Sequence, residues 1–196
     1  MPSAQETWSQ FSPASAQVLI CDLQEQIVAR SKTIPPDSLS QSAAVLCQIA
    51  QFFHLPLTLS VVPENNEKPK LIKPLAPFST DQNQFLRATA TPFIDPATRD
   101  QLASMGKHTL ILAGFATEVV VLHAALDALR EGYGVLVAVD ACGGMSERTE
   151  TAALNHIRDS GGIITSVVSL ATAVSPDFTT PQGQQMFQIV QTLRLA

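Results

Sequence analysis

Asp22 closes an apolar run, Val18-Leu19-Ile20-Cys21, and is followed by Leu23-Gln24-Glu25. A carboxylate at the end of a buried strand is poorly hydrated, which raises its pKa and suits it to act as an acid or a base near neutrality. A strand-end Asp also caps the turn that follows it, and position alone leaves both readings open. A second segment, Gly114-Phe115-Ala116-Thr117-Glu118-Val119-Val120, leads from a strand into a helix. The first turn of a helix presents unpaired N–H groups and the positive end of its dipole, so this turn could hold an oxyanion. It could equally be an ordinary strand-to-helix connection. Cys142, after Asp140-Ala141, stands at another strand end and is a candidate thiol. Cys21 points away from Asp22 by strand alternation, and Cys47 lies on the apolar face of a helix, so both read as core. Three cysteines this far apart make neither a metal spacing nor a disulfide framework. His123, three residues beyond Val120, either reaches a pocket rim or subunit contact or lies on the helix surface. His54, His108 and His156 have no ligand-like spacing.

Positioning these groups requires strands and helices in alternation. Apolar runs at 18–21, 57–62, 109–113, 135–139 and 163–168 read as buried strands, with a short one at 85–87. Helical spacing covers 38–53, 96–105, 118–131, 147–160 and 182–193, with Gly132 and the Gly161-Gly162 pair as stops. Residues 64–79 are rich in Pro, Lys and Asn and read as an irregular loop. Residues 1–16 read as an N-terminal arm with Trp8 and Phe11 as anchors, and 17–196 as one domain. The expected fold class is α/β: a three-layer α/β/α sandwich around a mostly parallel, six-stranded, Rossmann-type sheet with right-handed crossovers. Ligands in such sheets bind beyond the carboxyl ends of the strands, here after Cys21, Ala113 and Val139.

The chain has 196 residues, 45% hydrophobic and 15% charged, with a net charge of −5. That is enough apolar material for one large core, and the acidic balance argues against nucleic acid and anionic membrane surfaces. No stretch approaches the roughly 20 apolar residues that cross a bilayer. The polar start, Met1 to Gln17, lacks the pattern of a secretory signal, and a cytoplasmic location is expected.

The quoted runs, together with Ala125-Leu126-Asp127-Ala128-Leu129, Gly132-Tyr133 and Val139-Asp140-Ala141-Cys142, resemble the isochorismatase-like (cysteine hydrolase) superfamily over roughly residues 17–180. The pattern is nearest to its isochorismatase domain-containing branch, where a Cys often precedes the first-strand Asp. The resemblance implies an Asp–Lys–Cys triad. In it the Cys attacks a carbonyl or nitrile carbon, the Asp is its base, and the Lys supplies charge. A non-proline cis peptide, expected here between Ala116 and Thr117, turns backbone amides toward the oxyanion.

Carried onto this chain, the Asp is Asp22. The Lys falls on Arg87, in Phe85-Leu86-Arg87, and the Cys falls on Val120. Valine has no lone pair to attack with, and losing the nucleophile of a triad costs roughly a millionfold in turnover. Arginine keeps the charge but does not shuttle a proton near neutral pH. Gln24, Phe93, His123 and Cys142 are candidate pocket residues. The stretch Ser60-Val61-Val62-Pro63-Glu64-Asn65 has no His where the family's nicotinamidases carry a metal motif, so no metal or cofactor is expected. Three functions follow: a degenerate hydrolase-family member, non-catalytic or very slow, that serves as a binding or assembly protein; a Cys-independent vinyl-ether hydrolase using Asp22 as acid; or a hydrolase using Cys142 or another group. An unidentified small molecule is the expected ligand. Self-association is implied by the family, through the 119–122 or 187–193 apolar side chains unless these are core.

Overall fold

A computed structural model describes residues 4–64 and 69–193. Six parallel strands form one sheet in the order β3-β2-β1-β4-β5-β6. They are β1 (Ala16–Cys21), β2 (Leu57–Val61), β3 (Gln84–Leu86), β4 (Thr109–Phe115), β5 (Gly134–Gly143) and β6 (Ile163–Thr165). The central strands β1 and β4 are buried at every position, as a sheet covered on both faces requires. Their alternate residues divide between two cores. Val18, Ile20, Ile111 and Ala113 face α3 (Pro36–Phe52), α7 (Val167–Val174) and α8 (Pro181–Val190). Leu19, Cys21, Leu110 and Leu112 face α4 (Pro96–Ser104), α5 (Leu122–Arg130) and α6 (Glu147–Asp159). The expected three-layer α/β/α architecture is what is found.

Four local features differ from the sequence reading. The start of the arm is a helix, α1 (Ala4–Gln10), whose Thr7 side chain is buried against Gly134. A one-turn helix, α2 (Glu25–Val28), follows the first strand. The irregular stretch contains a 3-10 helix at Lys73–Phe78, while its residues 65–68 lie outside the described residues. The strand expected over 163–168 stops at Thr165 because Ser166 caps α7, its side chain accepting from the Ser169 N–H.

The strand order reverses direction between β1 and β4, the place where doubly wound sheets open a crevice at their carboxyl ends. Gly114 lets these two strands close up there. It has φ +150°, and a Cβ on it would come within 2.9 Å of the Cys21 Cβ and against the Cys21 carbonyl oxygen. Further along, Leu112 pairs with Val137 but Gly114 pairs with Cys142. Strand β5 therefore makes an excursion through Ala138–Ala141 before rejoining β4, so it does not end at Asp140 as expected. Asp140 lies in this excursion and caps α7, accepting from the Val167 N–H at 2.9 Å. Gly114→Ala is expected to destabilise the protein by about 3 kcal/mol or more, because the clash is with backbone at an unfavourable φ. Urea denaturation measures it.

Candidate active site

Asp22 leaves β1 with a positive φ of 56°, a conformation that Asp tolerates better than most side chains. Its backbone N–H still donates to the Ser60 carbonyl at 2.8 Å, but the chain then turns away from β2. Gln24 fills the vacated place in the ladder. Its side-chain amide accepts from the Val62 N–H at 2.8 Å and donates to the Val62 carbonyl at 3.0 Å. Its backbone N–H donates to the Asp22 carbonyl at 2.9 Å. Gln24 is fully buried, so the Asp22 turn is pinned to the end of β2.

On the other side of β2, Arg87 continues β3, its N–H donating to the Val61 carbonyl at 2.9 Å. Its guanidinium reaches over the end of β2 and donates from Nη2 to Asp22 Oδ2 at 2.6 Å. Nη1 donates to the Thr89 carbonyl at 2.6 Å, and Thr89 in turn bonds the Thr91 carbonyl at 2.7 Å. Asp22 is 7% exposed and Arg87 2%. Burial pushes the Asp22 carboxyl up to about 6, with Arg87 opposing that shift through its charge and its hydrogen bond. Burial outweighs the cation because removing a carboxylate from water costs more than one ion pair returns.

Val120 lies on the second element expected to do chemistry. Thr117–Val121 is a π-turn rather than the start of a regular helix, and the Ala116 carbonyl accepts from the Val119 N–H at 3.0 Å. The non-proline cis peptide is present one bond earlier than expected, between Phe115 and Ala116. Ala116 and Thr117 are both buried. The Thr117 hydroxyl lies 2.7 Å from Glu150 Oε1 and 3.1 Å from the Gly143 carbonyl oxygen, tying the turn to α6 and β5. Glu118 accepts from the Met145 N–H and the Thr149 hydroxyl. Val120 is 1% exposed and shares one apolar cluster with Phe93, Cys21 and Cys142.

Asp22, Gln24, Arg87, Val120, Phe93 and Cys142 are thus all buried at the carboxyl end of the sheet. His123 is not among them: it is on the exposed side of α5. Burial pushes the thiols of Cys21 and Cys142 far above the ordinary range, which keeps them protonated and poor nucleophiles. Cys47 is core, as read. Among the described residues no group of three or more His, Cys, Asp or Glu side chains is placed to hold a metal ion. A groove of about 710 Å³ between α2, α3 and the 3-10 helix, lined by Glu25, Asp37, Gln41 and Lys73 among others, does not include the ion pair.

Ser60 was not singled out in the sequence. It is 1% exposed and its hydroxyl has no partner, as is true of Asp22 Oδ1 and Arg87 Nε. Hydroxyl side chains inside the apolar run Leu57–Val62, Thr58 and Ser60, were the available signal, and it does not separate the two. Thr89 and Thr91 sit in a segment with no periodicity and gave none.

The chain matches the Isochorismatase domain family model over residues 16–169. It is 26% identical over 192 residues to mouse isochorismatase domain-containing protein 2B, covering 97% of this chain and 88% of that protein. Among solved structures, YcaC from Pseudomonas aeruginosa, described with hexane-2,5-diol and covalent acrylamide, superposes with a TM-score of 0.87. Its sequence identity is 24%, covering 95% of this chain and 93% of that one. YcaC from Escherichia coli, described as an octameric hydrolase of unknown specificity, gives 0.84 at 26% identity, covering 91% and 89%.

Two measurements check this geometry. Gln24→Leu leaves the half-buried Val62 N–H and carbonyl without their Gln24 partner and is expected to cost about 1–3 kcal/mol in chemical denaturation. The Asp22 carboxyl has a higher pKa folded than unfolded, so its contribution to stability is complete below the ordinary Asp pKa of about 4 and is lost as pH rises through about 6. The wild type is therefore expected to lose up to about 3 kcal/mol relative to Asp22→Asn between pH 4 and 7.

Proposed function

Because this chain belongs to the isochorismatase domain family, we propose that it is a hydrolase-like member from which Cys-dependent amide chemistry has been lost. The ion pair Asp22–Arg87 and the shaped turn remain as a small-molecule site. The observation that carries this reading is Val120: the position that resembles the family's nucleophile is a buried aliphatic side chain packed with Phe93. No neighbouring thiol takes its place, since Cys21 and Cys142 are held protonated by burial. Arg87 is committed to Asp22 and the Thr89 carbonyl, as a fixed cation rather than a proton carrier.

A second reading has its own support. With its carboxyl pushed up to about 6, Asp22 is partly protonated near neutrality and can act as an acid without any cysteine. It would then protonate the carbon of a vinyl ether, with water completing the cleavage.

The protein is also proposed to assemble with copies of itself in the cytoplasm. The similarity to the octameric Escherichia coli hydrolase supports the assembly. None of the described helices is long and apolar enough to cross a membrane. Of the side chains expected to mediate contact, Val119 and Phe187 are 40% and 46% exposed, whereas Val120 and Val121 are core.

A screen of wild type beside Val120→Cys on amides, nitriles and isochorismate tests the reading. Wild type is expected to be silent on amides and nitriles, with Val120→Cys gaining amidase activity. Amide turnover by wild type would sink the proposal. Isochorismate cleavage that disappears in Asp22→Ala would establish the vinyl-ether reading in its place.

A further inference from the structure

Three buried polar atoms without partners lie at the carboxyl ends of three adjacent strands: Asp22 Oδ1 beyond β1, Ser60 Oγ on β2 and Arg87 Nε beyond β3. Cys21, Ser60 and Phe85 are in register across these strands, and residues in register on a parallel sheet project to the same face. Cys21 faces the cluster that holds Val120, which places the Ser60 hydroxyl on that face too. Arg87, two residues past Phe85, projects likewise and reaches Asp22 across the end of β2, so the ion pair spans the strand that carries Ser60. Each partner uses only part of its capacity on the other. A buried polar atom left unpaired is costly, and three at one place call for an occupant that pairs with them.

Their chemistry selects among occupants. Arg87 Nε is a donor, the Ser60 hydroxyl can donate, and the Asp22 carboxyl donates once protonated. With Asp22 protonated all three can donate, and the Arg87 charge is left uncompensated beside the apolar cluster that holds Cys21, Val120 and Phe93. That is the complement of a carboxylate. We propose that this site binds a small monocarboxylate with a short apolar remainder, and takes up one proton from solvent onto Asp22 as it does so. The inference rests on the reading of the site as one that lacks a nucleophile.

The proton balance is simple. The free site holds Asp22⁻ and Arg87⁺. The occupied one holds neutral Asp22, Arg87⁺ and the bound carboxylate, so the charge of the buried group stays zero. Burial and Arg87 are what act on the Asp22 carboxyl, setting it at about 6. The other titratable groups on the surrounding elements include the protonated thiols of Cys21 and Cys142, Glu64 beyond β2, whose Oε1 is likewise buried without a partner, Asp140 on β5, which caps α7, Glu118, held by Met145 and Thr149, and Glu150 on α6, held by Thr117. Entry is over Asp22, whose side chain is 10% exposed against 1% for Arg87.

Titration calorimetry with isobutyrate and with isobutyramide, between pH 5.5 and 8 in two buffers of different ionisation enthalpy, tests it. Isobutyrate is expected to lose about tenfold in affinity per pH unit above about 6, with proton uptake approaching one per ligand. Isobutyramide is expected to bind more weakly at pH 6 and without pH dependence. Ser60→Ala, which leaves the ion pair intact, is expected to weaken isobutyrate about fivefold and leave the proton uptake unchanged. Binding of the amide at least as tightly as the acid, binding of the acid without proton uptake, or no binding heat at any pH would each overturn the proposal. The readout is binding, so these outcomes are distinguishable from amide turnover by wild type, which bears on the missing nucleophile.

Discussion

A buried ion pair spanning the end of β2 is the constraint around which this site is built. Asp22 and Arg87 come from strands separated by a third, and each is nearly removed from water. A pair so placed is weak evidence for stability, since desolvation of both charges offsets much of their attraction. What it demands is geometry. Asp22 must leave β1 in an unusual backbone conformation, and Gln24 must take over the ladder position that the turn vacates. The Thr89 carbonyl must hold the far side of the guanidinium. The raised carboxyl pKa shows which effect wins: burial exceeds the influence of the cation.

The second half of the site follows from close approach of β1 and β4. Gly114 permits it, and the excursion in β5 then brings Cys142 and Gly143 alongside Gly114 and Phe115. The Thr117 hydroxyl ties the resulting turn to Gly143 and Glu150. The turn is therefore held on both sides, and Val120, the residue proposed to stand at the nucleophile position, lies buried within it.

Much of this was legible in the chain. Continuous apolar runs at 18–21 and 109–113 could only be central strands, and their alternation with 3.6-period segments required a covered parallel sheet. Asp22 and the Gly114–Val120 turn were singled out as candidates by position, since the carboxyl-end rule leaves few other places for chemistry, although position alone did not separate a chemical from a structural role. The family pattern then pointed to Arg87 and Val120, and the structure shows Arg87 against Asp22 and Val120 in the adjoining apolar cluster.

Other features were not readable from local pattern. The cis bond lies at Phe115–Ala116 rather than one bond later, and the π-turn at Thr117–Val121 replaces the expected regular helix. Both are set by how β4 meets β5 and α6, which sequence spacing does not encode. His123 shares helical spacing with the buried face, but packing decides which side turns outward. The partners of Arg87 and the exposure of Ser60 to the site depend on register between β2 and β3, strands joined by more than twenty residues. Local periodicity determines which residues are buried. Long-range register determines which buried polar atoms meet, and only the folded sheet decides that.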